Sequence, residues 1–486
     1  MKKMLMPVLV SILILSSSNL YAEVCEASGD GRCYYISQLT GDDDTGDGSF
    51  ESPWKSFKNV VSYYGDTWLG STLKPPTWVN IAPGDYIYVM DGEYTDVYNY
   101  AGSTTVATFR TRYGTEQSQF YLKAYPGHHP VINPQLQGRG FHIYQGSWWN
   151  VEGFEIVNAF QAGLDVSAID HMAVTGMHIH DTDGIDNDNI AGLRGTASNF
   201  EVSYSTFHDN YDRTCADTGG ISTQNSANMV FFSGANVSVH DNLFYQSPSL
   251  TASFSGGGLK YKHAQTDPQG YFRVYNNVFR QCKHFSIGTG TQNSHIHNNI
   301  VYDGSGIISQ DWGGPTHQTN QLFEYNTLYN EGNSPFLIQP TDEWANDDFS
   351  DPENITFRKN IIYELRSTGS NERGTVVIGT YKSDALYAKT TGQLHFNDNC
   401  YYNPLTPVQF NLFSANGGTY GVLGAQYSFA AWQALGYDSG SLNEDPRFVD
   451  IASRNFALTP DSPCSDQGAY ASPPVNPAAP TGLQVE

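Results

Sequence analysis

Between residues 237 and 402, short runs of alternating apolar and polar residues each end in an asparagine, and an apolar residue recurs just beyond it. The asparagines are Asn242, Asn277, Asn299, Asn326, Asn360 and Asn399. Three residues before each stand Val239, Val274, Ile296, Phe323, Phe357 and Phe396, and two after stand Phe244, Phe279, Val301, Leu328, Ile362 and Tyr401. Side chains of a strand alternate between its faces, so these columns point to one core. The residues two before, His240, Tyr275, His297, Glu324, Arg358 and Asn397, share no chemistry, as outward positions permit.

Successive asparagines lie 35, 22, 27, 34 and 39 residues apart. A unit of about 22 residues with variable loops inserted into it predicts a solenoid. The fold expected is all-β: a right-handed, single-stranded parallel β-helix with inserted loops and terminal caps. Its turns stack about 4.8 Å apart, and the asparagine column forms an amide ladder between them.

Met1–Ala22, with Lys2 and Lys3 before an apolar run, reads as a secretory signal. Residues 23–78 form an N-terminal cap region, 79–443 the β-helix, and 444–470 a closing segment that covers an exposed edge. Residues 471–486 read as a Pro/Ala linker whose end resembles the first strand of a fibronectin-type module. No later segment has the apolar length of a membrane span, so the expected protein is secreted or periplasmic and monomeric. Of its six cysteines, Cys25 and Cys33 are the expected pair, being close in a turn-rich segment.

The chain carries 49 acidic and 25 basic residues, a formal charge of -24, which excludes nucleic-acid binding through a general basic surface. A polyanionic substrate then needs a local basic site or a bridging cation. Tyrosines number 32, available for stacking on sugar faces but equally suited to strands. The acidic loop with Asp42, Asp43, Asp44 and Asp47 fails the EF-hand spacing and reads as a solvated turn.

Aligned on their asparagines, three turns read AGLRG with Arg194, NMVFFSG without charge, and GGLKYKHA with Lys260, Lys262 and His263. Alternation puts Leu259 and Tyr261 inside, and Lys260 and Lys262 outside. Arg194 then lies two turns from Lys260, about 10 Å along the same sheet. Scarce cations gathered in an acidic chain mark a candidate site, set against the simpler reading of ordinary surface charge. Two acidic runs precede these strands, His180–Asn189 and His208–Gly220. Asp181, Asp183, Asp186, Asp209, Asp212 and Asp217 offer oxygens for calcium, or serve as hydrated turn residues.

The run GGGLKYKH resembles the segment bearing the catalytic lysine in family 9 polysaccharide lyases, pectate lyases of β-helix fold. Asp183, Gly184 and Asp186 are similar to the second half of that family's calcium motif, with Asp209 and Asp212 a second candidate set. The resemblance implies a lyase that removes a C5 proton beside a uronate carboxylate, with Lys260 as base and Lys262 or His263 in reserve. Calcium held by Asp183, Asp186, Asp209 and Asp212, or the guanidinium of Arg194, neutralises the carboxylate. The β-helix alginate lyases and chondroitinase B, which use Lys and Arg on successive turns, are similar too, but Gly288 and Thr289 stand where that Arg falls. Two other functions compete: a glycoside hydrolase using two of Asp183, Asp186, Asp209 and Asp311, and a non-catalytic carbohydrate-binding solenoid.

Overall fold

A computed structural model describes residues 23–63, 74–100, 103–184, 189–212, 226–247, 256–262, 267–282, 285–310, 318–329, 335–339, 352–365, 375–380, 393–414 and 425–470. His263, Asp186, Asp217, Asp311, the leader-like Met1–Ala22 and the 471–486 linker lie outside the described residues.

The chain winds into a right-handed parallel β-helix. Among the described residues its strands form a 22-stranded sheet and an 11-stranded sheet, beside a two-stranded hairpin. The larger sheet bends: Arg139–Glu152, Ala162–Thr175 and Ala191–Ser203 each turn a corner at left-handed residues, such as Gln145 (φ 55°), Ala168 (φ 52°) and Asn199 (φ 51°). The first half of each strand lies on one face and the second half on the next. From Ala227–Ser233 and Val237–His240 onward the two faces are separate strands. The 11-stranded sheet, from Glu93–Tyr94 to Cys400–Tyr402, is the third face. Parallel pairing on the second face already begins at Cys33–Ile36, which joins Tyr86–Val89, within the stretch read above as a cap.

Both predicted apolar columns are buried, from Val239 to Phe396 before the asparagines and from Phe244 to Tyr401 after them. On the third face Phe207, Phe244 and Phe279 stack ring on ring, 5.3 and 4.7 Å apart. Asparagines form the expected ladder. The side-chain amides of Asn242, Asn277, Asn299 and Asn326 each donate to the next asparagine's Oδ1 at 3.0 Å, and Asn360 does so at 3.2 Å. Asn399 ends the series on the buried Asp438 carboxylate at 3.0 Å. Before the ladder positions stand left-handed residues, among them Asp241, Asn276 and Asn298. Asn and Asp tolerate that conformation best, so the dipeptide both turns the corner and staples it.

The outward column two residues earlier has more order than its composition suggests. His240, Tyr275 and His297 stack at 4.7 and 5.1 Å, and Glu324 pairs with Arg358 at 2.8 Å. The early acidic loop builds turns: Asp42 accepts from the Asp44 and Thr45 amides, and Asp43 from the Lys55 and Ser56 amides.

At the C-terminal end, Ala425–Ser428 pairs antiparallel with Gln409–Ser414. The helix Phe429–Ala434 lays the fully buried Trp432 on Phe410, with ring centroids 4.9 Å apart. Residues 444–470 instead run back along the outside of the third face. Arg454 donates to both oxygens of Asp303 at 2.9 Å, and Gly468 donates its amide to Lys359 at 2.9 Å. Cys464 is bonded to Cys400, and Cys25 is bonded to Cys33 as expected. Among the described residues no helix is long and apolar enough to cross a membrane.

Candidate active site on the first face

Strand register defines one outward row across the first face. Thr108, His142, Asp165, Arg194, Val230, Lys260 and Gly288 are successive partners in parallel ladders. Leu259 and Tyr261 point into the core, as predicted. Arg194 and Lys260 are separated by the single rung of Val230, and Gly288 follows Lys260.

Lysines 260 and 262 face outward yet are only 1% and 8% exposed, so they do not stand in water as a bare outward position would. A small apolar cluster lies outside the solenoid wall: Ala191, Ala227, Val230 and Phe285, with Phe232 and Ile308 against it. The Lys260 ammonium is 5.7 Å from the Phe285 ring centroid, and that of Lys262 is 5.9 Å from Phe232. Burial lowers the Lys262 amine to about 8, because an apolar surrounding disfavours the charged form.

Arg194 is held in place. Its Nε and Nη2 donate to Asp165 Oδ2 at 3.2 and 3.1 Å, and its Nη1 to the Asn189 carbonyl at 3.0 Å. The Asn189 side-chain oxygen accepts from the Lys262 ammonium. Arg139 Nη1 reaches the same Asp165 oxygen at 2.9 Å. Two guanidiniums thus share one buried carboxylate, and the group keeps a net positive charge. Next to Asp165, burial pushes the His142 imidazole down to about 4, with Arg139, Arg194 and Arg110 adding to the effect against Asp165. It is neutral at physiological pH.

Arg139, His142 and Asp165 are not among the residues singled out above, and Asn189 enters there only as the end of an acidic run; Asp165 nonetheless carries a signal in the sequence. Gly163-Leu164-Asp165 and Gly192-Leu193-Arg194 repeat the phrase Gly258-Leu259-Lys260 on aligned turns. Gly258 has a packing reason of its own. A Cβ there would lie 2.3 Å from the Ser286 carbonyl oxygen and 2.7 Å from the Phe279 ring, so the glycine of the Gly-Leu-Lys phrase is required by the wall behind the lysine.

The acidic runs fit calcium poorly among the described residues. Asp209 is only 6% exposed, and its carboxylate accepts from the Ser247 amide (2.8 Å) and hydroxyl (2.6 Å) and from His208 (2.9 Å). Asp183 Oδ1 accepts from the Gly184 amide at 2.8 Å. Asp183, Asp209 and Asp212 do not converge as ligands; the cluster of metal-ligating side chains found among the described residues is instead His178, His180 and His208. A hard cation needs six to eight oxygens.

Comparison with known proteins agrees with the fold. Residues 34–243 match the model of the Pel9A-like, right-handed β-helix region. Pectate lyase L of Paenibacillus polymyxa (strain SC2) is 26% identical over 295 residues, covering 58% of this chain and 57% of that protein. The chain therefore aligns with little more than half of that relative's length. Among solved structures, the lacto-N-biosidase of family GH136 from Eubacterium ramulus has a TM-score of 0.49 at 14% identity, over 85% of this chain and 67% of that one. Pectate lyase Pel9A has a TM-score of 0.41 at 14% identity, over 89% and 90%. Residues 34–243 are thus similar to the Pel9A-like right-handed β-helix region, and 295 residues of the chain align with a pectate lyase.

Proposed function

We propose that this chain is an exported polysaccharide lyase that cleaves a uronic-acid-containing glycan by β-elimination on its first face. The observation that carries the reading is the basic row itself: Arg194 and Lys260 two rungs apart, with Asn189 bridging Arg194 to Lys262, in a chain of charge -24. A field so negative repels a polyuronate except where cations are gathered.

In this reading the substrate carboxylate lies against Arg194 and Lys262, which stabilise the charge that builds on it as the C5 proton leaves. Lys260, in its neutral form, takes that proton. The C5–H electron pair becomes the C4–C5 double bond, and the C4–O bond breaks with its pair on oxygen, which takes a proton from solvent as the preceding sugar leaves. Lys262 is assigned to the carboxylate because Asn189, which accepts from its ammonium, also holds Arg194 through its carbonyl and so sets the two cations side by side. Asp165 orients Arg194 and does not touch the substrate. Export is supported by the leader-like Met1–Ala22 and by the two disulfides, which persist in oxidising compartments.

Incubation with pectate, alginate, glycosaminoglycans and neutral glycans tests the reading. The expected result is absorbance at about 235 nm, the signature of an unsaturated uronate formed by elimination, with at least one acidic glycan. New reducing ends without that absorbance would overturn it and transfer the chemistry to paired carboxylates. Chelation in the same assay measures calcium assistance. A rate lost on chelation and restored by calcium assigns a cation to the acidic runs, where Asp186 and Asp217 join Asp183 and Asp212 as ligands to be tested. An unchanged rate leaves the carboxylate to Arg194 and Lys262.

A further inference from the structure

On the outer side of the third face, away from the basic row, three imidazoles converge. His178 and His180 flank the buried Ile179 on one strand, so both project outward. His180 is the register partner of His208 on the next turn. All three ligating atoms lie within 4.8 Å of one another, and His178 Nε2 is 2.9 Å from His208 Nε2. The His180 and His208 rings stack at 4.6 Å and 7°.

We propose that His178, His180 and His208 form a binding site for a late first-row divalent metal ion such as zinc, cobalt or nickel. Two imidazole nitrogens on one tetrahedral ion, at about 2.0–2.1 Å each, lie about 3.3 Å apart, and the His178–His208 approach falls a few tenths of an ångström short of that. The far nitrogens are already oriented. His180 Nδ1 lies 2.8 Å from Asp181 Oδ2, and His208 Nδ1 lies 2.9 Å from Asp209 Oδ2. A carboxylate that accepts a hydrogen bond from Nδ1–H keeps the proton on Nδ1, leaves Nε2 as the lone-pair donor and fixes the ring, the arrangement that metal-binding histidines use. Asp209 is in turn fixed by the Ser247 amide and hydroxyl.

A fourth ligand is at hand in Glu155, whose Oε1 is 3.4 Å from His180 Nε2. Its side chain is 36% exposed, with 14% and 12% for His180 and His208, so an ion can enter from solvent. Imidazole selects borderline transition metals over calcium, which prefers oxygen. The bound ion would tie two successive turns together on the face opposite the chemistry.

The test uses the full chain, stripped with a chelator and dialysed. Calorimetric titration with zinc is expected to show one equivalent bound, and titration with cobalt the visible bands of a four-coordinate ion. His208→Gln and, separately, His178→Gln should each weaken zinc binding at least 100-fold. Asp209→Asn should weaken it about 10- to 100-fold. His240→Ala should leave it unchanged, because that histidine has its own carboxylate, Asp241, but lies on the second face. No saturable binding to the parent chain would overturn the proposal and reduce the cluster to hydrogen-bonded histidines. Binding retained in both glutamine variants, with far-UV dichroism as in the parent, would overturn it equally.

Discussion

Lys260→Ala is expected to lower kcat/KM on the cleaved acidic glycan by about 10²- to 10⁴-fold, the range over which a positioned base contributes. Lys260 lies on the row of Arg194 with Val230 before it and Gly288 after it. A loss below about tenfold would remove Lys260 from the proton transfer. Arg194→Lys should also be costly, since an ammonium cannot keep both the Asp165 contact and the Asn189 carbonyl that the guanidinium spans. The pH profile separates the two lysines. With its amine near 8, Lys262 carries its charge below that pH and loses it above. As the carboxylate-binding group it should let KM rise with pH beyond 8 in the parent enzyme, and Lys262→Met should flatten that limb at a higher KM. A profile in which kcat climbs through pH 8 and Lys262→Met abolishes turnover would exchange the roles of the two lysines.

The second large effect is on stability. Asn299→Ala is expected to cost about 3–5 kcal/mol, read as a fall in the urea midpoint with both disulfides intact. Asn299 is fully buried. Its amide donates to the Val274 and His297 carbonyls at 2.9 and 3.0 Å and to Asn326 Oδ1 at 3.0 Å. Its oxygen accepts from the Asn277 amide and side chain at 3.1 and 3.0 Å. Alanine leaves those buried groups without that partner. A destabilisation under about 1 kcal/mol would mean that the ladder relaxes without it.

The winding of the chain was legible because its signal is local and repeated. Each asparagine with its two apolar flanks states the same strand–corner–strand, and six copies make register a matter of alignment. The Arg194–Lys260 spacing followed from that alignment. Asp165 did not, because its phrase lies one rung before Arg194 and carries the opposite sign. The burial of Lys260 and Lys262 was hidden for a different reason. Alternation tells inward from outward, but a second apolar layer from Ala191, Ala227, Val230 and Phe285 is assembled by residues up to 94 positions apart. Asp209 shows the same limit, since its engagement by Ser247 joins residues 38 apart. The three histidines lie in plain view as HIH and FHD, yet only the register of two strands brings their nitrogens together.

Solenoids ordinarily unravel from an end, each turn answering only to its neighbours. Here the tail that runs back from residue 444 fastens on Asp303, Thr327, Lys359 and Cys400, which belong to four successive turns. An opening at the C-terminal end must therefore either release that strap or take all four turns with it. The C-terminal third of the helix is in this sense less a stack of separable coils than a splinted rod.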